Sequence, residues 1–528
     1  IELTADLDRR LEEMLIAAWA GRAENDGYNA LVLAAGLDRR EVALLRAIGH
    51  YLRQIRLPQT QEAMWGALRR FPAIAVDLVA LFRARFDPQA AGDREAAEAE
   101  IAGRIEAALG AVASLDDDTV LRRFVQMIRA MVRTDFFRAE VDGASRDTLA
   151  FKLDPTAIPG LPEPVPHREI WVCGPTVEGV HLRFGPVARG GLRWSDRALD
   201  FRTEVLGLVK AQQVKNAVIV PVGAKGGFFP KRLAPGMSRD AFLAEGTAAY
   251  RTFVGRLLDL TDDIRGGVIV PPPQMVRHDG DDAYLVVAAD KGTATFSDTA
   301  NAIARDHGFW LGDAFASGGS AGYDHKKMGI TARGAFEAVN RHFREMDRDI
   351  LAEPFTVVGV GDMSGDVFGN GMLLSRTIRL VAAFDHRDIF LDPDPDPGVS
   401  FAERERLFAL PRSSWADYDR SRISAGGGVF SRASKTIALS APVRALLGLA
   451  ADHATPAEVM RAILKAKADL LWFGGIGTYV RATSENDAEV GDKANDALRI
   501  TGAEIGAAVV GEGANLGMTQ RARIEYGA

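Results

Sequence analysis

The sequence has a single cysteine, Cys173, among 528 residues. One cysteine cannot form a disulfide within the chain, so we expect a fold held together by its hydrophobic core, as in reducing compartments. The neighbours of Cys173 in EIWVCG are mostly apolar, which is typical of a small buried side chain.

Long hydrophobic runs are also missing. No apolar stretch reaches the roughly 20 residues that a membrane-spanning helix needs. The first residues, IELTADLDRR, lack the apolar region of a secretory signal. Together with the scarcity of cysteine, these absences predict a cytoplasmic protein without a membrane partner.

An excess of positive charge is the third absence. The formal net charge of -7 provides no general attraction to nucleic acid or to an anionic membrane, and we expect no nucleic-acid partner. Any anionic ligand must therefore be held by local cations. The 47% of apolar and 26% of charged residues are typical of a globular protein with two or more domains.

The chain divides into three regions by pattern, which predicts an α/β protein preceded by a helical region. Residues 1–150 are predicted to be helical, because apolar residues recur at i, i+3, i+4 and i+7 in segments such as REVALLRAIGHYLRQI. A proline-rich stretch then ends the helical pattern. Residues 151–350 alternate β-rich and helical runs, as expected of an α/β substrate-binding domain. Residues 351–528 form a second unit, predicted to be Rossmann-like.

The second unit opens with a glycine pattern typical of dinucleotide binding. Its segment VVGVGDMSGDVFGNG lies between the apolar run FTVVGV and a helical pattern. Glycines at such a turn let backbone N–H groups approach a pyrophosphate. A purely structural glycine turn is the alternative. We assign to the cofactor the residues Gly359, Gly361, Asp362, Met363 and Gly365.

An acidic residue follows at the spacing that a ribose-binding carboxylate requires. Asp385 comes 24 residues after Gly361, at the end of the run RLVAAFD. A carboxylate there would repel the 2'-phosphate of NADP, which favours NAD as the cofactor. Arg387 weakens this preference, because an arginine could pair with that phosphate.

A lysine surrounded by glycine and alanine is the second unusual feature. Lys225 lies in VPVGAKGGFFPKR, where the small neighbours leave space for a substrate. The loss of solvent around this lysine, together with the presence of nearby cations, would lower its pKa, so that it could exchange protons or polarise water. The alternative is a tight glycine turn with the lysine in solvent.

A carboxylate with a predicted proton-transfer role is Asp290. It ends the predicted strand AYLVVAA, at the edge where α/β enzymes place reactive groups. It could carry protons to and from an amine, or simply cap the next turn. We predict no metal site, because the acidic segment LDPDPDPGVS has proline where a calcium loop needs glycine.

From about residue 150 to the end, the chain resembles the glutamate dehydrogenases, and above all their large NAD-specific bacterial class. The resemblance implies that the large class continues beyond both ends of this sequence. It is carried, in the family's order, by the motifs ARGGLRWSD, KNAVIVPVGAKGG, ADKGTATFSDTAN, GGSAGYDHKKMGITARGA, VVGVGDMSGDVFGNGM, GGIGTY and GEGANLG.

The resemblance implies roles for four residues around the substrate. Lys225 resembles the catalytic lysine and Asp290 the proton-shuttling aspartate. Lys215 resembles the lysine that holds the substrate α-carboxylate. Arg189 stands where small family members have a lysine for the γ-carboxylate.

The resemblance also implies a reaction and a cofactor. Thr331 and Asn515 resemble residues that contact the nicotinamide half of NAD. The implied reaction is the reversible oxidative deamination of L-glutamate to 2-oxoglutarate and ammonium by a homo-oligomer. One alternative is an NAD-dependent dehydrogenase of the leucine, phenylalanine or valine type, which Arg189 opposes because an apolar pocket would strand its charge. A non-catalytic nucleotide-binding regulator is the other.

Overall fold

The computed structural model describes residues 4–140, 143–210, 222–290, 293, 295–322, 325–475, 477–513 and 516–528. The chain forms two compact units, unit 1 (Ile1–Gly322) and unit 2 (Tyr323–Ala528). No helix among the described residues is both long enough and apolar enough to cross a membrane.

Unit 1 opens with a helical bundle, in agreement with the apolar periodicity of its sequence. Helix α3, for example, begins at a capping box in which the side chains of Asp38 and Glu41 bind each other's backbone amides. The described helices of unit 1 are α1 (Ala5–Trp19), α2 (Leu31–Ala35), α3 (Arg39–Gln54), α4 (Gln61–Arg70), α5 (Pro72–Phe86), α6 (Arg94–Leu109), α7 (Leu115–Ala130), α8 (Phe201–Lys210), α9 (Arg239–Asp259) and α10 (Ser297–Asp306).

The strands of unit 1 form one mixed sheet and a small separate hairpin, β7–β8. The sheet order is β1-β2-β3-β4-β6-β5-β9, antiparallel except that β5 runs parallel to both β6 and β9. The described strands are β1 (Met131–Thr134), β2 (Leu149–Leu153), β3 (Arg168–Cys173), β4 (Val177–Arg183), β5 (Ala188–Trp194), β6 (Val222–Pro230), β7 (Asp263–Arg265), β8 (Val268–Val270) and β9 (Val286–Ala289).

The two faces of this sheet pack into different cores. Alternate residues of a strand point to opposite faces, so Trp171 of β3 joins the core of the helical bundle while Ile170 and Val172 join the core under α9 and α10. The indole N–H of Trp171 also donates to the Ala47 carbonyl of α3, at 2.9 Å. The helical region and the sheet therefore share a core, and the sheet begins at Met131, before the domain boundary that we predict from the prolines.

Unit 2 is a second α/β layer structure. Its main sheet has the order β13-β12-β11-β10-β16-β19. Strands β11, β10, β16 and β19 are parallel to one another, and β12 pairs antiparallel with both of its neighbours, β11 and β13. The described strands are β10 (Phe355–Val360), β11 (Ile378–Phe384), β12 (Asp388–Leu391), β13 (Gly428–Ser431), β14 (Ile437–Ala438), β15 (His453–Ala454), β16 (Leu470–Phe473), β17 (Val480–Arg481), β18 (Ile500–Thr501) and β19 (Val509–Glu512).

Strand β10 is the topological switch point of this sheet, because the chain adds β11 on one side of it and later β16 on the other. Ligands of doubly wound sheets bind beyond the carboxyl end of such a strand. The described helices of unit 2 are α11 (His325–Met328), α12 (Ile330–Glu345), α13 (Asp366–Gly371), α14 (Pro397–Ala409), α15 (Ala441–Leu447), α16 (Pro456–Lys465), α17 (Asp487–Val490) and α18 (Gln520–Gly527). The predicted α/β class with a preceding helical region is confirmed.

A buried ion pair fixes α8 to the sheet of unit 1. The guanidinium of Arg202 donates two hydrogen bonds to the Glu169 carboxylate on β3, at 2.8 Å and 2.7 Å. Both side chains are almost fully buried. Two parallel charge-assisted hydrogen bonds compensate the cost of removing both charges from water.

Replacing Arg202 with methionine should destabilise unit 1 by about 3 to 5 kcal/mol, because the Glu169 carboxylate would stay buried without a counter-charge. The free energy of unfolding in urea measures the effect. The double variant Arg202→Met/Glu169→Gln should recover more than half of the loss. If the free energy of unfolding of Arg202→Met lay within about 1 kcal/mol of the wild-type value, the pair would behave like an exposed one, which would contradict its role in fixing α8 to the sheet.

Candidate functional site

Lys225 lies in the middle of β6, a central strand of the unit 1 sheet, between β4 and β5. The glycines around it are therefore strand residues and not a turn. The side chain is 4% exposed. Of the two alternatives that the sequence left open, the tight glycine turn with the lysine in solvent is wrong, and the ammonium deprived of solvent agrees with this position.

The Lys225 ammonium forms an ion pair with the Asp290 carboxylate. Asp290 follows β9, and its backbone N–H donates to the Thr293 hydroxyl, which in turn donates to the Leu192 carbonyl of β5. Burial lowers the pKa of Lys225, although the attraction of Asp290 opposes this shift. Burial would raise the pKa of Asp290, but the neighbouring Lys225 and Arg193 outweigh it and the pKa is lowered.

Arg193 completes this cluster, and the sequence patterns did not identify its role. Its Nε lies 3.2 Å from Asp290 Oδ2 and its Nη1 donates to Glu204 of α8 at 3.0 Å. The Ser195 hydroxyl donates to the second Glu204 oxygen at 2.7 Å. A signal was present in the sequence, because Arg193 is four residues from Arg189 and so shares its face of the strand.

Arg189 lies on the same face of the sheet as Lys225. In the register of β5 and β6, Arg189 is opposite Gly223, two residues before Lys225. Between Arg189 and Arg193 stands Gly191, where a β-carbon would lie 3.3 Å from Lys225 Nζ and 3.1 Å from Asp290 Cβ. Only glycine leaves the lysine and the aspartate room to meet. Arg189 itself is exposed.

The structure thus brings together Lys225, Asp290 and Arg189, with Arg193 added. Lys215, the other predicted substrate-binding residue, lies outside the described residues. A buried lysine with a lowered pKa beside an ionised carboxylate can polarise water and move protons, and an exposed arginine on the same face can bind a carboxylate.

The predicted glycine turn of unit 2 follows β10, at the switch point of the sheet. Gly361 has φ of +140°, and a β-carbon there would lie 2.7 Å from the Phe368 side chain. This position therefore requires glycine. Gly365 has φ of -72° and its nearest neighbour, the Asp362 carbonyl oxygen, would be 3.4 Å from a β-carbon. Met363 points its side chain into the core.

Asp385 lies directly after β11, beside the turn. Its Oδ1 accepts hydrogen bonds from the backbone N–H groups of Arg387 and Asp388, at 2.8 Å and 2.7 Å. Its Oδ2 is buried and has no hydrogen-bond donor among the described residues. Burial raises the pKa of Asp385, and the nearby Asp362 carboxylate adds to this shift. A ribose hydroxyl would supply the missing donor, so this site fits the dinucleotide.

Thr331 stands in the first turn of α12, near the end of β19. Its Cγ2 would lie 3.8 Å from a β-carbon on Gly513, the residue after β19. The predicted cofactor residue Asn515 lies outside the described residues. The residues that the sequence predicts to bind the cofactor, so far as the structure describes them, therefore lie at the carboxyl ends of β10, β11 and β19.

Trp415 supports the turn, and the sequence patterns did not identify it either. Its indole N–H donates to the Gly361 carbonyl at 3.0 Å, and its ring stacks on Phe390 of β12 with the centroids 4.8 Å apart. A fully buried side chain thus holds the peptide group of the strained glycine. No local spacing links residue 415 to residue 361, because the contact is tertiary.

Two groups of described side chains have ligand atoms close enough for a metal ion. The first comprises Glu24, His50, Cys173 and Glu178, but the Lys231 ammonium already lies 2.7 Å from Glu24 and 2.8 Å from Glu178. The second comprises Asp362, Asp385 and His386, of which Asp362 and Asp385 are residues that the sequence predicts to bind the dinucleotide. We assign a metal to neither.

Residues 104–528 match the family model described as bacterial NAD-glutamate dehydrogenase, catalytic domain. Residues 23–88 match the model described as glutamate dehydrogenase, helical motif 3. Together these matches cover most of the helical region and both main sheets.

Curated relatives described as NAD-specific glutamate dehydrogenases match nearly the whole length of this chain. The NAD-specific glutamate dehydrogenases of Halomonas elongata and Mycobacterium tuberculosis are each 58% identical to it, over 97% and 98% of its length. That of Pseudomonas aeruginosa is 57% identical over 99%. The chain spans only 32% or 33% of the length of these relatives. Among solved structures, Plasmodium falciparum glutamate dehydrogenase is 15% identical, with a TM-score of 0.39 over 93% of this chain and 77% of that one.

Replacing Gly361 with alanine should destabilise unit 2 by about 2 kcal/mol or more, because the new methyl group meets Phe368 and the backbone angle is strained. The matched variant Gly365→Ala has an ordinary φ and more space, and should unfold within about 0.5 kcal/mol of the wild type. Urea unfolding followed by circular dichroism measures both. Equal stabilities of the two variants would contradict the strained turn.

Proposed function

This chain belongs to the family of bacterial NAD-glutamate dehydrogenase catalytic domains, and we propose on that premise that it catalyses the reversible oxidative deamination of L-glutamate to 2-oxoglutarate and ammonium with NAD. One observation carries the proposal. Lys225 is buried against Asp290 and Arg193, on the face of the sheet that also presents Arg189. A reaction that moves protons on a dicarboxylate needs this combination.

In this proposal, cations hold the two carboxylates of glutamate. Arg189 binds the γ-carboxylate, for which a guanidinium offers two parallel hydrogen bonds. Lys215 binds the α-carboxylate. The exposed position of Arg189, beside the buried cluster, leaves its charge accessible to a ligand.

Lys225 and Asp290 then manage the nitrogen chemistry. Bound NAD supplies the acceptor for the hydride that leaves Cα of glutamate, and an iminium remains on the substrate. Lys225 polarises the water that adds to the iminium carbon. Asp290 takes a proton from that water and returns it to the amino group, so that the C–N bond breaks and ammonia departs. The hydroxyl proton that is lost as the carbonyl of 2-oxoglutarate forms passes through Asp290 to the ammonia, which leaves as ammonium. Arg193 keeps Asp290 ionised between these steps.

Unit 2 provides the cofactor site in this proposal. The turn from Gly359 to Gly365 faces the pyrophosphate, Asp385 accepts from a ribose hydroxyl, and Thr331 and Asn515 contact the nicotinamide half. Arg387 lies 3.5 Å from Asp385 Oδ2, so its charge is already engaged and NAD is favoured over NADP. Residues 1–150, 151–350 and 351–528 are the proposed helical, substrate-binding and cofactor-binding regions, and α11 and α12, which precede residue 351, belong to unit 2 and add Thr331 to the cofactor site.

Location and assembly complete the proposal. We place the enzyme in the cytoplasm as a homo-oligomer. Self-association is supported by the apolar side chains of Leu15, Ile16 and Trp19, which are 62%, 61% and 95% exposed on α1. Sedimentation equilibrium measures the number of subunits.

A panel of amino acids, assayed at 340 nm with NAD and with NADP, tests the activity. We expect glutamate with NAD to give the highest kcat/KM, and leucine, valine and phenylalanine to fall at least about 100-fold below it, because they leave the Arg189 charge without a partner. A protein that binds NAD but oxidises no amino acid would be a regulator. Preference for an apolar amino acid would contradict the role of Arg189.

Replacing Arg193 with glutamine should move the acidic limb of the kcat/KM profile to higher pH. Arg193 helps to lower the pKa of Asp290, so without this cation the carboxylate is protonated at a higher pH and proton transfer is lost earlier as the pH falls. The matched variant Arg197→Gln removes an exposed pair with Asp200 and should keep the wild-type profile. An unchanged acidic limb in Arg193→Gln would show that Arg193 does not keep Asp290 ionised.

A further inference from the structure

Lys326 places an ammonium group at the glycine turn of unit 2. It lies on α11, and its Nζ donates to the Ser364 carbonyl in that turn, at 2.8 Å. The same ammonium stands 4.9 Å from the centre of the Phe408 ring. Nothing in the glycine pattern indicates this residue, because it precedes β10 in the chain.

The ammonium of Lys326 is hydrogen-bonded to the turn, and its backbone carbonyl is hydrogen-bonded to α13, the helix that follows the turn. The Asn370 side-chain amide, on α13, donates to the Lys326 carbonyl at 2.8 Å. The Lys326 ammonium reaches Ser364 on the other side of the turn. The positive charge is therefore held in place before any ligand binds, which lowers the entropic cost of using it.

The charge of Lys326 is not neutralised by a carboxylate among the described residues. Within the part of the chain that the structure describes, its contacts are a carbonyl oxygen and an aromatic face, and neither occupies more than one of its three N–H donors. The acidic side chains of the turn have other partners. Asp362 accepts from the hydroxyl and backbone N–H of Ser364 and from the N–H of Gly365.

A pyrophosphate at this turn would meet acidic surroundings. Asp362, Asp366 and Asp385 all lie beside the turn. Arg387 lies 3.5 Å from the carboxylate of Asp385 and 3.6 Å from that of Asp362, so it offsets their charge. A dianionic ligand needs a further cation to be held here, and Lys326 is placed to supply it.

We propose that Lys326 binds the pyrophosphate of the dinucleotide through its ammonium group. This inference rests on the proposed function of unit 2 and extends it to a residue outside the glycine pattern. The lysine acts on the phosphates and not on the adenosine or the ribose, whose partner is Asp385.

The test is the binding of three ligands to the 528-residue chain and to its variants. NADH binding is followed by fluorescence, and ADP-ribose and adenosine by calorimetry or by competition with NADH. Lys326→Met should weaken NADH and ADP-ribose about tenfold or more, the usual effect of removing a charge-assisted contact. It should leave adenosine, which has no phosphate, within twofold of the wild type. Lys326→Arg should retain most of the affinity for all three.

The matched control is Lys467→Met, which removes an exposed lysine before β16, at the opposite edge of the parallel strands. It should bind all three ligands like the wild type. The dependence of NADH affinity on salt should also be weaker in Lys326→Met, because one ionic contact is gone.

Two outcomes would overturn the inference. Unchanged NADH affinity in Lys326→Met would show that the ammonium does not reach the phosphates. An equal loss for adenosine and ADP-ribose would show that Lys326 only maintains the shape of the turn. Failure of the proposed function is distinguishable, since the wild-type chain itself would then bind neither NADH nor ADP-ribose.

Discussion

The ion pair between the buried Lys225 ammonium and the half-buried Asp290 carboxylate is the constraint on which the charged cluster of unit 1 depends. A lysine inside a sheet is costly unless a carboxylate meets it, and here the carboxylate comes from the end of the next strand but one. Gly191, on the strand between, leaves the space in which the two side chains meet. Arg193 and Glu204 extend the pair into a network that reaches α8. Because glycines stand beside Lys225, this part of the sheet has fewer side chains to pack. The two hydrophobic cores on the faces of the sheet provide the packing elsewhere.

In the proposed function, unit 2 must bind the pyrophosphate of a dinucleotide beside acidic side chains. Asp385 fits the proposed role of binding a ligand hydroxyl, because its Oδ2 has no hydrogen-bond donor among the described residues while two backbone amides donate to its Oδ1. The turn itself is held by contacts from distant parts of the chain, Trp415 at the Gly361 carbonyl and Lys326 at the Ser364 carbonyl. Its shape is thus determined before a cofactor arrives, which is the condition for selective binding at low entropic cost.

Local patterns were sufficient to predict those parts of the protein that depend on local geometry. The α/β class followed from periodicity, and the turn at Gly361 and the acid at Asp385 followed from a spacing that the strand-turn-helix unit imposes. The small neighbours of Lys225 were sufficient to identify it as unusual. They did not show that the segment is a strand, because a glycine in a sequence does not reveal whether a turn or a neighbouring strand needs the space. Trp415, Lys326 and Arg193 act through tertiary contacts with residues 54, 38 and 97 positions away in the chain. The strand period that puts Arg193 on the face of Arg189 does not reveal its contact with Asp290. The roles assigned to Lys215 and Asn515 stay predictions, since both lie outside the described residues.

In the proposed reaction, the buried ammonium of Lys225 polarises the water that attacks the iminium and assists the proton transfers of Asp290. The most direct measurement is kcat of Lys225→Met, in which a side chain of similar volume keeps the packing and removes the charge. We predict a fall in kcat of about 10² to 10⁴-fold, the usual contribution of a general acid or base, with NADH affinity unchanged. A kcat within tenfold of the wild type would contradict the account.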